Sequence, residues 1–127
     1  MDQTPKRQRT WANKFRDALR GVQLGVSGQN SFAVHGVVTV LVIVAGAVLR
    51  VSRTEWCILT LCITHVLVVE MLNSALESLA KAVDDQHNTA LGTALDVASG
   101  AVLVTAIGAV TIGIIVFLPH LWLRLIG

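Results

Sequence analysis

Three long apolar stretches separated by short polar ones dominate the chain: Phe32 to Leu49, Trp56 to Val69 and Ala94 to Leu118. The first and third are close to the ~20 residues that a helix needs to cross a hydrocarbon core. The second reaches that length only by continuing into the polar run that starts at Glu70, which predicts a helix over 56–80. Strands are excluded by the same surroundings, because an open three-segment sheet would leave unpaired backbone groups facing lipid. Ahead of these segments Trp11, Phe15, Ala18, Leu19 and Val22 recur at helical spacing, with Asn13, Lys14, Arg16, Asp17 and Arg20 on the other side. With Thr10 as N-cap, this pattern predicts an amphipathic helix over 10–24 lying in the membrane interface, aromatic rings at the acyl boundary and cations among the head groups. The expected fold is an all-α membrane protein in one unit, residues 1–127: an N-terminal amphipathic interfacial helix plus three transmembrane helices at 32–49, 56–80 and 94–118.

Composition agrees with that class. Of the 127 residues, 54% are hydrophobic and only 14% charged, well outside the range of soluble domains. The net charge of +2 matters less than its placement. Lys6, Arg7, Arg9, Lys14, Arg16 and Arg20 all precede the first apolar run, so the positive-inside bias puts the N-terminus in the cytoplasm. Three crossings then place the connection from Lys81 to Thr93 inside and the C-terminus outside. The first apolar run begins too far into the chain, and lacks the small-residue cleavage site, to be a signal peptide. Cys57 and Cys62 lie on different faces of one helix and read as apolar fillers.

Arg50 to Glu55 forms the expected outer connection, with Trp56 as an interfacial anchor, and Gln86 to Thr93 lacks any apolar period and reads as a cytoplasmic loop. Pro119, His120 and Trp122 close the chain at the outer surface. His35 has no Cys or second His at ligand spacing, so zinc is discounted and it reads as a structural, snorkelling or hydrogen-bonded residue; His65 points away from the Glu70 face by more than a right angle and reads as structural too. Thr105, Ala109 and Gly113 repeat every four residues, a pattern of close helix contact in membranes.

The chemistry gathers where the second apolar run ends. Glu70, Asn73 and Glu77 stand at i, i+3 and i+7 and fall within about 60° of one another on a helix, the two glutamates about 10 Å apart along its axis. Ser74 and Lys81 lie on nearly the same face. Ionisable groups near a bilayer are costly and usually face protein or water, so Glu70, Glu77 and Asp96 are the candidates for function. Three carboxylates with an amide suit magnesium, a hard cation that takes oxygen ligands and keeps several waters. Magnesium held by carboxylates points to phosphate chemistry. No G-x-x-x-x-G-K-[ST] occurs, which excludes a P-loop.

Glu70-Met71-Leu72-Asn73-Ser74-Ala75-Leu76-Glu77, followed by Asp96-Val97-Ala98-Ser99-Gly100-Ala101-Val102-Leu103, resembles the small prokaryotic diacylglycerol kinase family, which includes the undecaprenol kinases. The resemblance extends to the amphipathic N-terminal helix, to Gly21, to Phe32 and His35, and to Glu55-Trp56. It implies a homotrimer of three-crossing subunits in the bacterial cytoplasmic membrane that transfers the γ-phosphate of ATP to a lipid hydroxyl, of diacylglycerol or undecaprenol, with magnesium as cofactor and no nucleic-acid partner. By the same resemblance Glu70 is the general base, Glu77 a magnesium ligand beside the nucleotide, and Asp96 part of the nucleotide site. Asn73 supports Glu70 and the lipid head group, and Ser99 lies near the substrate.

Three positions depart from the family pattern. Gln29 stands where a second metal-binding glutamate is usual, so it offers magnesium a carbonyl oxygen without charge. Leu95 replaces a phosphate-contacting lysine, and Lys81 an aspartate. Lys81, four residues after Glu77 on the same face, either restores the lost cation in the nucleotide site or forms an i,i+4 ion pair worth about 0.2–0.5 kcal/mol. The alternative to a kinase is a catalytically weak or inactive relative acting as a lipid-binding or structural membrane protein, which Gln29 and Leu95 favour.

Overall fold

The computed structural model describes residues 10–27, 30–83 and 88–127. They form four helices: α1 (Trp11–Val26), α2 (Asn30–Leu49), α3 (Arg53–Val83) and α4 (Thr89–Ile126). Among the described residues there is no strand. α2, α3 and α4 are each long and apolar enough to cross a membrane. At 1.5 Å per residue, the 31 residues of α3 span about 46 Å and the 38 of α4 about 57 Å. Both exceed a hydrocarbon core of about 30 Å, so whole turns of each project beyond it. Gln29 lies outside the described residues.

α1 starts at Thr10, whose hydroxyl accepts from the Asn13 N–H at 3.3 Å. None of its residues is buried by the rest of the chain, and Trp11, Phe15 and Leu19 stay exposed. It meets α3 where a Cβ at Gly25 would stand 3.3 Å from the Met71 side chain, so glycine permits that approach.

The hairpin between α2 and α3 is tighter than the expected connection over 50–55. Its ends are closed by two motifs. α2 stops with Arg50 at φ 54, in the left-handed region. The N–H of Val51 reaches Gly46 O at 3.1 Å and that of Arg50 reaches Ala47 O at 3.3 Å, a Schellman pairing that satisfies two end carbonyls. α3 then begins at Arg53 through a capping box: the Ser52 N–H donates to Glu55 Oε2 at 2.6 Å, and the Glu55 N–H donates to Ser52 Oγ at 3.3 Å. Only residues 50–52 are left to turn the chain.

Above this turn sits a buried apolar cluster, Val51, Leu59 and Val116, with Val42, Trp56 and Phe117 packed around it. The Trp56 ring lies flush on α2, because a Cβ at Gly46 would come within 2.8 Å of its Cη2. α4 is tied to the same end. His120 Nε2 is 3.0 Å from Glu55 Oε1, and Arg124 Nη2 donates to Val48 O at 2.7 Å. These links hold α4 helical past Pro119 to Ile126, beyond the 94–118 segment read from hydropathy, although the proline gives the Ile115 carbonyl no N–H.

At the other end the expected loop over 86–93 is corrected, since Thr89–Thr93 are helical. Asn88 Oδ1 accepts from the N–H groups of Ala90 at 3.0 Å and Leu91 at 3.2 Å, which fixes the start of α4. A helical turn outside the hydrocarbon needs no apolar period, so hydropathy could not reveal it.

Gly46→Leu forces the Trp56 ring away and is expected to lower stability by about 1–3 kcal/mol. Arg50→Gly relieves the left-handed strain and is expected to raise stability by up to about 1 kcal/mol. Unfolding in mixed micelles checks both, and equal midpoints for the two variants would contradict this picture of the turn.

Candidate active site

Among the described residues, protein contact within one chain buries few side chains, yet three of them are polar. Glu70 is 2% exposed, and Asn73 and Ser74 are also buried, all on the face of α3 that turns toward the other helices. Glu77 is half-buried one turn beyond Asn73. α3 supplies this strip because residues three, four and seven apart share a face, and the apolar sequence before Glu70 carries the helix to it unbroken.

The strip is cross-linked. Asn73 Nδ2 donates to Glu77 Oε1 at 2.9 Å. A carboxylate only accepts, so this bond turns the amide N–H toward Glu77 and the amide oxygen the other way. Asn73 Oδ1 is thereby left buried, with no hydrogen-bond partner among the described residues. Ser74 Oγ donates to Glu70 O at 3.0 Å, and Ser78 Oγ to Ser74 O at 3.0 Å, so the small hydroxyls satisfy themselves on their own helix.

From α2, His35 Nε2 comes to 3.8 Å of Glu70 Oε2, the histidine side chain 19% exposed and the glutamate 3%. The sequence reading treated His35 as structural. The available signal was an ionisable residue on the first crossing, but its partner depends on how α2 is rotated against α3.

The remaining candidates are not gathered with this strip inside one chain. Asp96 and Ser99 are exposed on α4, whose buried residue there is Ala98. At 100° per residue Asp96 lies about 200° from Ala98, on the side of α4 away from its packed face. Lys81 is exposed one turn past Glu77, and Leu95 is half-buried.

The residues present fit a hard cation in part. Asn73 Oδ1 and the Glu77 carboxylate are adjacent oxygen donors, one of them buried without a partner. Among the described residues no three His, Cys, Asp or Glu side chains cluster as a metal site. That donor set suits magnesium, which is content with one or two protein oxygens and completes its shell with water and phosphate.

Residues 16–117 match the family model described as prokaryotic diacylglycerol kinase. The chain belongs to that family. The undecaprenol kinase of Bacillus subtilis is 33% identical over 107 residues, which cover 84% of this chain and 87% of that protein. A diacylglycerol kinase of Synechocystis is 36% identical over 108 residues, covering 84% of this chain but 62% of that longer protein. The diacylglycerol kinase of Escherichia coli K12 is 29% identical over 101 residues, 80% of this chain and 83% of that one. The protein is therefore a bacterial membrane lipid kinase.

In this lipid kinase Asn73→Ala removes both the bond to Glu77 and the buried amide oxygen. It is expected to reduce phosphate transfer about ten- to a hundredfold, with about 1 kcal/mol or less lost in stability. A steady-state assay beside thermal unfolding separates the two. Full activity in a stable variant would remove Asn73 from the site.

Proposed function

We propose that this lipid kinase transfers the γ-phosphoryl group of ATP to the primary hydroxyl of a membrane lipid, with Glu70 as general base. The observation that carries this reading is the buried polar strip of α3, in which a carboxylate, 2% exposed, stands about 10 Å along the helix from a half-buried second one. A primary hydroxyl is a poor nucleophile. With its oxygen held against the γ-phosphorus, the new P–O bond forms as the bond to the β–γ bridging oxygen breaks, ADP leaves, and Glu70 takes the hydroxyl proton.

Glu77 and Asn73 Oδ1 would hold magnesium, which supplies charge neutralisation for the phosphates when bound. Their separation from Glu70 along α3 sets the metal side of the reaction apart from the lipid side. Lys81 lies one turn farther on, where a cation beside Glu77 would take the place of the phosphate-binding lysine that Leu95 replaces.

Orientation follows from charge. α1 packs on the half of α3 that bears the strip, and Lys14, Arg16 and Arg20 belong to α1. A cytoplasmic α1 lying in the interface brings the strip to the leaflet where ATP is available. The homotrimer is implied by the family resemblance, and what one chain leaves open is compatible with assembly: no residue of α1 is buried, and Asp96 and Ser99 stand on the outward side of α4. A nucleotide site that uses Asp96 is then completed between copies. Diacylglycerol and undecaprenol are the two acceptors to weigh, and the named relatives include kinases of both.

Transfer from γ-labelled ATP with magnesium, in mixed micelles offering each lipid separately, tests the reading. Phosphate is expected on one of the two lipids and is expected to fall at least a hundredfold in Glu70→Gln. Transfer that survives Glu70→Gln would remove the general base. No transfer from folded wild-type oligomer would favour the binding-protein alternative instead. In the same assay Lys81→Ala is expected to raise KM for ATP, and unchanged ATP kinetics would leave Lys81 as a surface ion-pairing residue.

A further inference from the structure

His65 stands on α3 between Trp56 and Glu70, about 14 Å along the helix from the tryptophan. With Trp56 at the outer interface and a hydrocarbon core of about 30 Å, that depth is close to the bilayer midplane. The ring leaves α3 about 140° round from Glu70 and about 120° from Leu59, which are 2% and 3% exposed. α1, α2 and α4 pack on other sides of α3, and His65 stays exposed together with Thr64 beside it.

Water satisfies an exposed imidazole at a protein surface, and hydrocarbon cannot. Thr39, Thr105 and Thr111 meet the same difficulty by donating to the carbonyl four residues back. That solution is incomplete for a histidine. In neutral imidazole one nitrogen donates and the other accepts, while the N–H groups of a helix interior are already spent within the helix. The acceptor nitrogen therefore needs a donor from outside α3. Ionisable side chains at this depth face protein or a water-filled cavity and pair there, which makes the His65 face a contact face.

What covers it must be apolar around the ring, must lie at the same depth, and must both donate and accept. A second copy of this chain meets all three conditions. Copies related by a cyclic axis along the membrane normal bring equal residues to equal depth. Like imidazoles suit one another there, because each donates to one ring and accepts from the next, whereas two aspartates or two lysines would repel. The apolar surround is also present: Leu61, Thr64, Val68 and Leu72 recur at i, i+3, i+7 and i+11, the spacing of a packed helix seam. Leu61 is 70% exposed and Leu72 60% within one chain.

We propose that this face of α3 is a contact between copies of the chain, in which the His65 imidazole hydrogen-bonds to the partner subunit's His65. The polar strip of Glu70, Asn73 and Glu77 lies on the opposite side of the same helix, so contact and strip do not compete for one surface.

The test measures the mass of the full-length protein by sedimentation over a series of protein-to-detergent ratios, for wild type, His65→Leu and His65→Gln. Wild type is expected to be oligomeric. His65→Leu is expected to need about a three- to tenfold higher ratio to associate. His65→Gln, whose amide both donates and accepts, is expected to recover most of that loss. A leucine facing lipid would leave association unchanged or make it stronger, so either result would overturn the contact, as would a monomeric wild type. Equal weakening by leucine and glutamine would overturn the hydrogen bond.

A second measurement does not require the variants to survive detergent. In a chain with Cys57 and Cys62 replaced by alanine, His65→Cys is reconstituted in vesicles and oxidised with copper phenanthroline. A disulfide between copies is expected, at a yield that holds as the lipid-to-protein ratio rises. A yield that falls with dilution, as random collision dictates, would overturn the contact. Neither readout uses phosphate transfer, so failure here leaves the kinase reading untouched.

Discussion

Burying a carboxylate costs several kcal/mol unless protein groups replace its water. Among the described residues Glu70 is one of the least exposed, and protein contact buries six apolar side chains against three polar ones, the latter on a single stretch of α3. Everything near that stretch is arranged around the cost. Small hydroxyls bond back to their own helix, the Asn73 amide is locked by Glu77, and His35 approaches from α2. A bundle built only for stability would place leucines there, which is why the polar strip is where we propose that the chemistry of this lipid kinase takes place.

The two ends of the bundle divide the work. At the α2–α3 turn, a Schellman stop, a capping box, the Trp56 ring on Gly46 and the ties from His120 and Arg124 make a small, well-connected core. At the α1 end α3 buries polar side chains, and the apolar surfaces of α1 and α4 stay exposed, open to lipid or to further copies. Under the proposed function the less tightly connected end would admit two substrates of very different character, a charged nucleotide from water and a lipid from the bilayer. The cleft beside His35 and the groove between α1 and α3 are the openings this leaves.

Much of this was legible in the chain. Apolar run length revealed the spans, because lipid punishes any polar interruption. Helical spacing put Glu70, Asn73 and Glu77 on one face, since three residues on one helix need no tertiary information. What failed depended on partners far away in sequence. His35 looked structural because its meeting with Glu70 is set by the rotation of α2 on α3. Asp96 looked like part of the same cluster, but Ala98 decides which side of α4 packs, and that turns Asp96 outward. The start of α4 was hidden for another reason: beyond the hydrocarbon a helix keeps its hydrogen bonds without an apolar face, and Asn88 alone announced it. Ser52-Arg53-Thr54-Glu55 was a readable capping box that a search for apolar runs passed over.

The account's central claim is that one chain supplies the Glu70 strip while Asp96 serves a site completed by a neighbouring copy. Subunit mixing tests it most directly: Glu70→Gln and Asp96→Asn chains, each assayed alone, are co-refolded into mixed oligomers and assayed together. The account predicts that each variant alone is impaired and that mixing restores a substantial part of the activity, because some sites then pair an intact Glu70 with an intact Asp96 from different chains. Mixed oligomers, verified by differential tagging, that are no more active than the separate variants would contradict a site shared between copies.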